Sequence, residues 1–304
     1  MDQYKKIIQA LMPFENFDAL AFGIVDFRNM KFSAFEADYF GDELQFREHS
    51  SLYFDLASLT KPLTNSLSFF LAPENFDEKM KLCLNHRGGL PAWGLLAKNN
   101  WKEQVLGYPI SDSETLYSDF SALRVMLELK KRGIDQKKIC QQVWDHETLF
   151  WTDLSDKDIS PQYGFRNGQP NLKAVHDPNA WVIGEFCSHA GLYSTIHGLC
   201  QTLLNYQNKT QFIEKVKADL TTHPHRFSFG WDRVENPQQT LAGSGCGSLT
   251  FGHLGFTGTS IWIDPERMRG HVILSNATKY FWYDKAGLND LRKALGELVW
   301  KSII

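Results

Sequence analysis

Two apolar stretches near the start of the chain, Ala19 to Val25 and Lys31 to Glu36, flank a polar turn around Arg28 and Asn29, which predicts an antiparallel strand pair. A second pair is predicted near the end, from Ser260 to Ile263 and from His271 to Leu274. Leu288, Leu291, Leu295, Leu298 and Val299 recur at helical spacing, and Ile7, Ile8, Leu11 and Met12 give a short N-terminal helix one apolar side. The middle, about Glu74 to Asn208, reads as mostly helical. The expected architecture is α+β: an antiparallel sheet built from both chain ends (1–73 and 209–304), flanked by helices, against a helical part (74–208), with a cleft between them. No repeat, low-complexity tract or linker interrupts this plan.

Composition narrows the function classes. A chain of 304 residues with 43% hydrophobic and 13% aromatic content can bury a large core as one compact unit. A net charge of -3, with basic residues clustered no further than Lys130-Lys131-Arg132, argues against a nucleic-acid or anionic membrane partner. No apolar run is long enough to span a bilayer, and the first residues, MDQYKKIIQALMPF, lack the apolar core of a secretory signal. Cys83, Cys140, Cys187, Cys200 and Cys246 are odd in number and unpaired by motif, which suits reduced thiols. Together these lead to the expectation of a cytoplasmic protein, with the oligomeric state open; the motifs below, not composition, lead to the expectation of a small-molecule partner and no cofactor or metal.

Candidate chemistry concentrates in FDLASLTKPLT, Phe54 to Thr64. Ser58 and Lys61 are three residues apart, so a helix places the amine beside the hydroxyl. A desolvated lysine of lowered pKa can take a serine's proton and make it a nucleophile. Pro62 is compatible with a helix that starts near Ala57 or Ser58, because first-turn N–H groups have no partner inside the helix.

Further blocks extend the pattern: LNHRGGLPAWG (84–94), YSDF (117–120), VHDPNAW from Val175, SHAGLYST from Ser188 and FGHLGFTGTSIWIDPE (251–266). In this order they resemble the penicillin-recognising serine hydrolases, in the branch of class C beta-lactamases, D-alanyl-D-alanine carboxypeptidases and beta-lactamase-fold carboxylesterases. FDLASLTK resembles the Ser-x-x-Lys block, HRGGLP the HTSGLP turn, Tyr117-Ser118-Asp119 the Tyr-x-Asn element, and His253-Leu254-Gly255 the Lys-Thr-Gly strand; VHDPNAW and SHAGLYST resemble a paired signature of the esterase-like members. The resemblance implies the beta-lactamase and transpeptidase-like fold, with Ser58 as nucleophile, Lys61 and Tyr117 sharing its proton, and His253 in the catalytic set. It also implies an oxyanion hole of the Ser58 and Phe256 amides beside Gly255, with Asp119 and Trp231 of FSFGW near the substrate.

Three departures bear on substrate. His253 stands where many members have lysine, and at an ordinary pKa of about 6.5 it is mostly neutral at pH 7, which favours uncharged esters or amides. Asp119 replaces asparagine; ionised, it accepts hydrogen bonds without donating them, and it supports a protonated Lys61. The stretch between Lys61 and His86 is short, which implies a more open cleft or a relative that has lost catalysis.

Other motifs are weaker. His176-Asp177, His189 and His223-Pro224-His225 suggest a metal centre only superficially, since Pro224 disrupts a strand and no third ligand has a telling spacing. GSGCG (243–247) lacks the Gly-Lys-Ser/Thr of a phosphate loop. His86 reads as a turn residue. The expected activity is acyl transfer through Ser58 to water from a small ester or amide, the alternatives being a beta-lactamase or D-alanyl-D-alanine carboxypeptidase and a catalytically silent binding relative.

Overall fold

A computed structural model describes residues 1–49, 51–281 and 283–302. Along the chain run α1 (Asp2–Leu11), β1 (Ala19–Asp26), β2 (Lys31–Phe40), β3 (Glu43–Arg47), β4 (Phe54–Asp55), α2 (Leu67–Leu71), α3 (Glu78–Leu84), α4 (Trp101–Leu106), α5 (Asp119–Lys131) and α6 (Gln136–Gln141). There follow β5 (Thr148–Phe150), β6 (Phe165–Arg166), β7 (Gln169–Pro170), α7 (Pro178–Ile183), β8 (Leu192–Ser194), α8 (Ile196–Thr210) and α9 (Phe212–Thr222). The chain closes with β9 (Phe227–Ser228), β10 (Trp231–Arg233), β11 (Phe251–Leu254), β12 (Ser260–Asp264), β13 (Arg269–Ser275) and α10 (Ala286–Lys301).

Eight strands form one antiparallel sheet in the order β3-β2-β1-β13-β12-β11-β10-β9, so the two chain ends meet at β1 and β13, where Leu20 faces Ser275 and Asp26 faces Arg269. The apolar run of β1 is nearly continuous because both its faces are covered. Leu20 and Phe22 enter a core with Ile8 of α1 and Leu291 and Leu295 of α10, whereas Ala21 and Val25 enter the other core with Leu199 and Leu203 of α8. Gly23 permits the close approach of α8, since a Cβ there would lie 2.6 Å from Cys200 Sγ.

The predicted strand pairs and terminal helices are thus present. The middle of the chain is tied to the sheet by a helix and to the segment before Ser58 by a separate three-stranded sheet, β4-β8-β5. Helix α8 packs on β1 and β2, and the strand before Ser58, β4, pairs with β8 at Phe54–Ser194 and Asp55–Tyr193. The Ser58 turn is therefore tied to β8 through the strand that precedes it. All five cysteines are buried and unpaired. Among the described residues no helix is long and apolar enough to cross a membrane.

Candidate active site

Asp55 is a fully buried carboxylate directly before the Ser58 turn. Its Oδ1 accepts the Ala57 N–H at 2.8 Å and its Oδ2 the His176 N–H at 2.7 Å, while its own N–H donates to the Tyr163 hydroxyl at 2.9 Å. Burial pushes its pKa up to about 6 against the lowering effect of these amides. Ala57 is held at φ 45°, a left-handed conformation that an L-residue keeps only when its surroundings impose it. A 3₁₀ turn at Ala57–Leu59 then leads through Lys61 into a π-helical turn at Pro62–Ser66 and on to α2.

That turn brings Lys61 Nζ to 3.0 Å from Ser58 Oγ. Lys61 is buried, and Nζ also donates to the His189 carbonyl at 3.0 Å and pairs with Asp119 Oδ1 at 2.7 Å. Burial disfavours the ammonium, yet Asp119 and Tyr117 outweigh it and hold the lysine pKa above its ordinary value. The lowered lysine pKa expected from desolvation is overturned by the carboxylate that desolvation brings with it. Asp119 opens α5 behind the Ser118 cap, whose hydroxyl accepts the Ser121 N–H at 2.9 Å.

Tyr117 lies against Lys61, with Nζ 4.9 Å from its ring centroid. Burial raises its pKa and Asp119 adds to this, against the pull of Lys61, so the group is a phenol at neutral pH. Its hydroxyl is buried, with the Lys61 and Ser58 side chains as its polar neighbours. His86, read from sequence as a turn residue, packs 4.7 Å from the Tyr117 ring and accepts the Ser118 N–H on Nδ1 at 3.1 Å. His253 packs on the same tyrosine at 5.7 Å. Burial, then Lys61, lower its pKa to about 3. Its Nδ1–H donates to the Leu254 carbonyl at 2.8 Å, so Nε2 carries the lone pair of a neutral imidazole.

Beyond His253 the chain turns sharply. A Cβ on Gly255 would lie 1.9 Å from Thr259 Oγ1 and 2.6 Å from the Leu56 carbonyl, so glycine is required for this close approach. Thr257 Oγ1 donates to the Asp55 carbonyl at 2.6 Å and Thr259 Oγ1 to that of Leu56 at 3.1 Å, which stitches the turn to the segment before Ser58. Gly258 N–H holds the Gly255 carbonyl at 3.1 Å, and in a trans peptide the Phe256 N–H then faces the opposite way. Phe256 is 44% exposed, with Lys285 Nζ 4.0 Å from its ring centroid.

A cleft of about 660 Å³ is lined by Ser58, Tyr117, Asp119, Trp93, His176, Asp177, His189 and Phe256. Ser58, Lys61, Tyr117 and Asp119 meet directly, and His253 and Gly255 stand immediately behind the lining. Trp231 does not join them: it is fully buried in β10 with ring centroids 5.5 Å from Phe212 and from Phe251. Its side chain faces the core between the sheet and α9, which corrects its placement near the substrate.

Sequence reasoning missed Asp55, whose signal was a lone acid inside the apolar run Leu52 to Ala57, and the cleft-lining positions of His176, Asp177 and His189. Burial lowers the His176 pKa to about 4. Among the described residues no group of His, Cys, Asp or Glu could hold a metal, His223 pairs with Asp219 and His225 contacts Arg87. GSGCG packs on α10, where a Cβ on Gly243 would lie 2.3 Å from the Glu297 amide.

Comparison with known proteins follows this geometry. The Beta-lactamase family model matches residues 141–294. A protein of Salmonella enteritidis PT4 named as a D-alanyl-D-alanine carboxypeptidase is 38% identical over 124 residues, which span 35% of this chain and only 29% of that relative. Among solved structures, D-alanine carboxypeptidase AmpC from Burkholderia cenocepacia superposes with a TM-score of 0.66 at 14% identity, covering 97% of each chain. EstCE1, a hydrolase with promiscuous acyltransferase activity, gives 0.66 at 14% identity and 98% of each chain. These structures share the fold, and with a family model matching half of its length, this chain belongs to the beta-lactamase family of serine hydrolases.

Proposed function

We propose that this protein hydrolyses a small ester or amide through an acyl-enzyme on Ser58. The observation that carries the reading is Ser58 Oγ in the cleft at 3.0 Å from an ammonium that Asp119 holds in place. In this reading Ser58 Oγ attacks the substrate carbonyl carbon, its proton passes to Tyr117 Oη, and the tyrosine's own proton passes to the leaving oxygen or nitrogen. Both Lys61 and Tyr117 have raised pKa values, which suits a relay through a phenol beside a permanent cation better than a free lysine base. The Ser58 and Phe256 amides supply the oxyanion site, each worth about a hundredfold or more in rate. Water then releases the acyl group by the same relay. The neutral state of His253 and the pairing of the cleft's charges, Lys61 with Asp119 and His189 with Asp177, support an uncharged substrate.

A D-alanyl-D-alanine carboxypeptidase or beta-lactamase is the second reading. It is favoured by the carboxypeptidase names of the relatives and by Lys285, which has no carboxylate partner among the described residues and sits at the Phe256 rim. Fluorophosphonate labelling with the adduct mapped by mass spectrometry tests the hydrolase. A Ser58 adduct that is absent in Ser58→Ala is the expected result; no adduct on folded protein moves the reading to a silent binding relative. Stable acylation by penicillin would select the second reading.

A further inference from the structure

Asp177 and His189 lie within the cleft, and the relay just described uses neither side chain. His189 is 1% exposed, and its Nε2 meets Asp177 Oδ1 at 2.9 Å. Asp177 Oδ1 also accepts the Ala180 N–H at 2.7 Å and so caps α7. The same His189 residue turns its carbonyl to Lys61 Nζ at 3.0 Å. One aspartate therefore anchors a helix start, a buried imidazole and, through that imidazole's backbone, one of the acceptors of the catalytic ammonium.

We infer that Asp177 and His189 are a positioning pair, which presents the His189 carbonyl to Lys61 and keeps the ammonium beside Ser58. The inference rests on the hydrolase reading for its consequence in rate, and on geometry alone for its effect on Lys61. A buried ammonium needs its acceptors: Lys61 has the Ser58 hydroxyl, the His189 carbonyl and Asp119, and its remaining titratable neighbours are Tyr117, Asp177 and the neutral rings of His86 and His253. With the His189 carbonyl lost and only Asp119 and Tyr117 left to oppose burial, the lysine holds its proton less tightly. The pair is itself an ion pair at neutral pH: against burial, Cys187 and Asp177 together raise the His189 pKa to about 10, and His189 helps to lower that of Asp177 to about 2.

The experiment follows Lys61 directly. Nitrogen-15 NMR titration of the lysine ammonium, assigned with Lys61→Arg, is run on the wild type, Asp177→Ala and Asp177→Asn, together with the pH profile of fluorophosphonate labelling. Asp177→Ala is expected to move the Lys61 midpoint down by about one pH unit or more, a tenfold change in proton affinity. Its labelling is expected to slow by roughly 10- to 100-fold, with the alkaline limb shifted to lower pH. Asparagine is an equally good helix cap, so Asp177→Asn keeps α7 and removes only the charge; a smaller downward shift is expected, and it carries the test if the alanine variant does not fold. A Lys61 midpoint and a labelling profile unchanged in a folded variant would overturn the inference. A shifted midpoint in a protein that never labels would sustain the positioning pair and sink the hydrolase reading; labelled wild type with no shift would do the reverse.

Discussion

The two walls of the cleft hold the same side chain in opposite states. On the α7 side His189 is a buried imidazolium, raised to about 10; on the β11 side His253 is a buried neutral imidazole, lowered to about 3. Burial pushes both downward. The neighbours decide: beside His189 lie Cys187 and the Asp177 carboxylate, the latter at 2.9 Å, whereas His253 faces the Lys61 ammonium and spends its one N–H on the Leu254 carbonyl. Lys61 and His189 are thus each paired with an acid, whereas His253 stays neutral behind the Tyr117 ring. Residue type alone is a poor guide to charge in such a site.

The sharpest way to break this contrast is to strip Lys61 of its acid. Asp119→Ala leaves a lysine 3% exposed among neutral rings, and orphaning a buried charge costs on the order of 3 kcal/mol. Denaturant unfolding is expected to show that loss, and Ser58 labelling to fall about a hundredfold or more; a variant as stable and reactive as the wild type would refute the role given to the pair. The sign of the Lys61 contribution follows from its raised pKa. Stability from this group is complete below the unfolded value of about 10.5 and lost only as pH rises through the higher folded value, so neutral and mildly alkaline pH leave it intact.

His253 has the opposite sign. Its lowered pKa means that stability is complete above about 6.5 and is lost as pH falls toward 3, amounting to about 2 kcal/mol at pH 5. His253→Gln is expected to flatten the stability profile between pH 8 and pH 5 by that amount, and an unchanged slope would show that the imidazole is not held neutral. The smallest effect belongs to the exposed histidines. His223→Ala and His225→Ala should each alter stability by no more than about 0.5 kcal/mol, because water already solvates them; a larger loss would mean that burial is not what separates the histidines.

Much of this was legible in the chain. The strand pairs, the terminal helices and the Ser58–Lys61 turn follow from local periodicity, because the spacing of apolar residues and the three-residue interval act within one element. Tyr117, Asp119 and His253 could be nominated from their motifs, and a neutral His253 expected from its ordinary pKa, but how far burial and Lys61 shift these groups depends on residues far away in sequence. Trp231 was misplaced because an aromatic in a glycine-flanked strand reads the same whether it faces a cleft or a core.

What the sequence determined by itself was the fold class and the turn that sets Ser58 beside Lys61. Only the tertiary structure decided that Asp119 and Tyr117 outweigh burial at Lys61, that Asp55 grips the Ser58 turn together with His176 and Thr257, and that His189 is charged. The physical reason is range: backbone pattern is local, whereas burial and Coulomb contact are set by residues that the fold alone brings together.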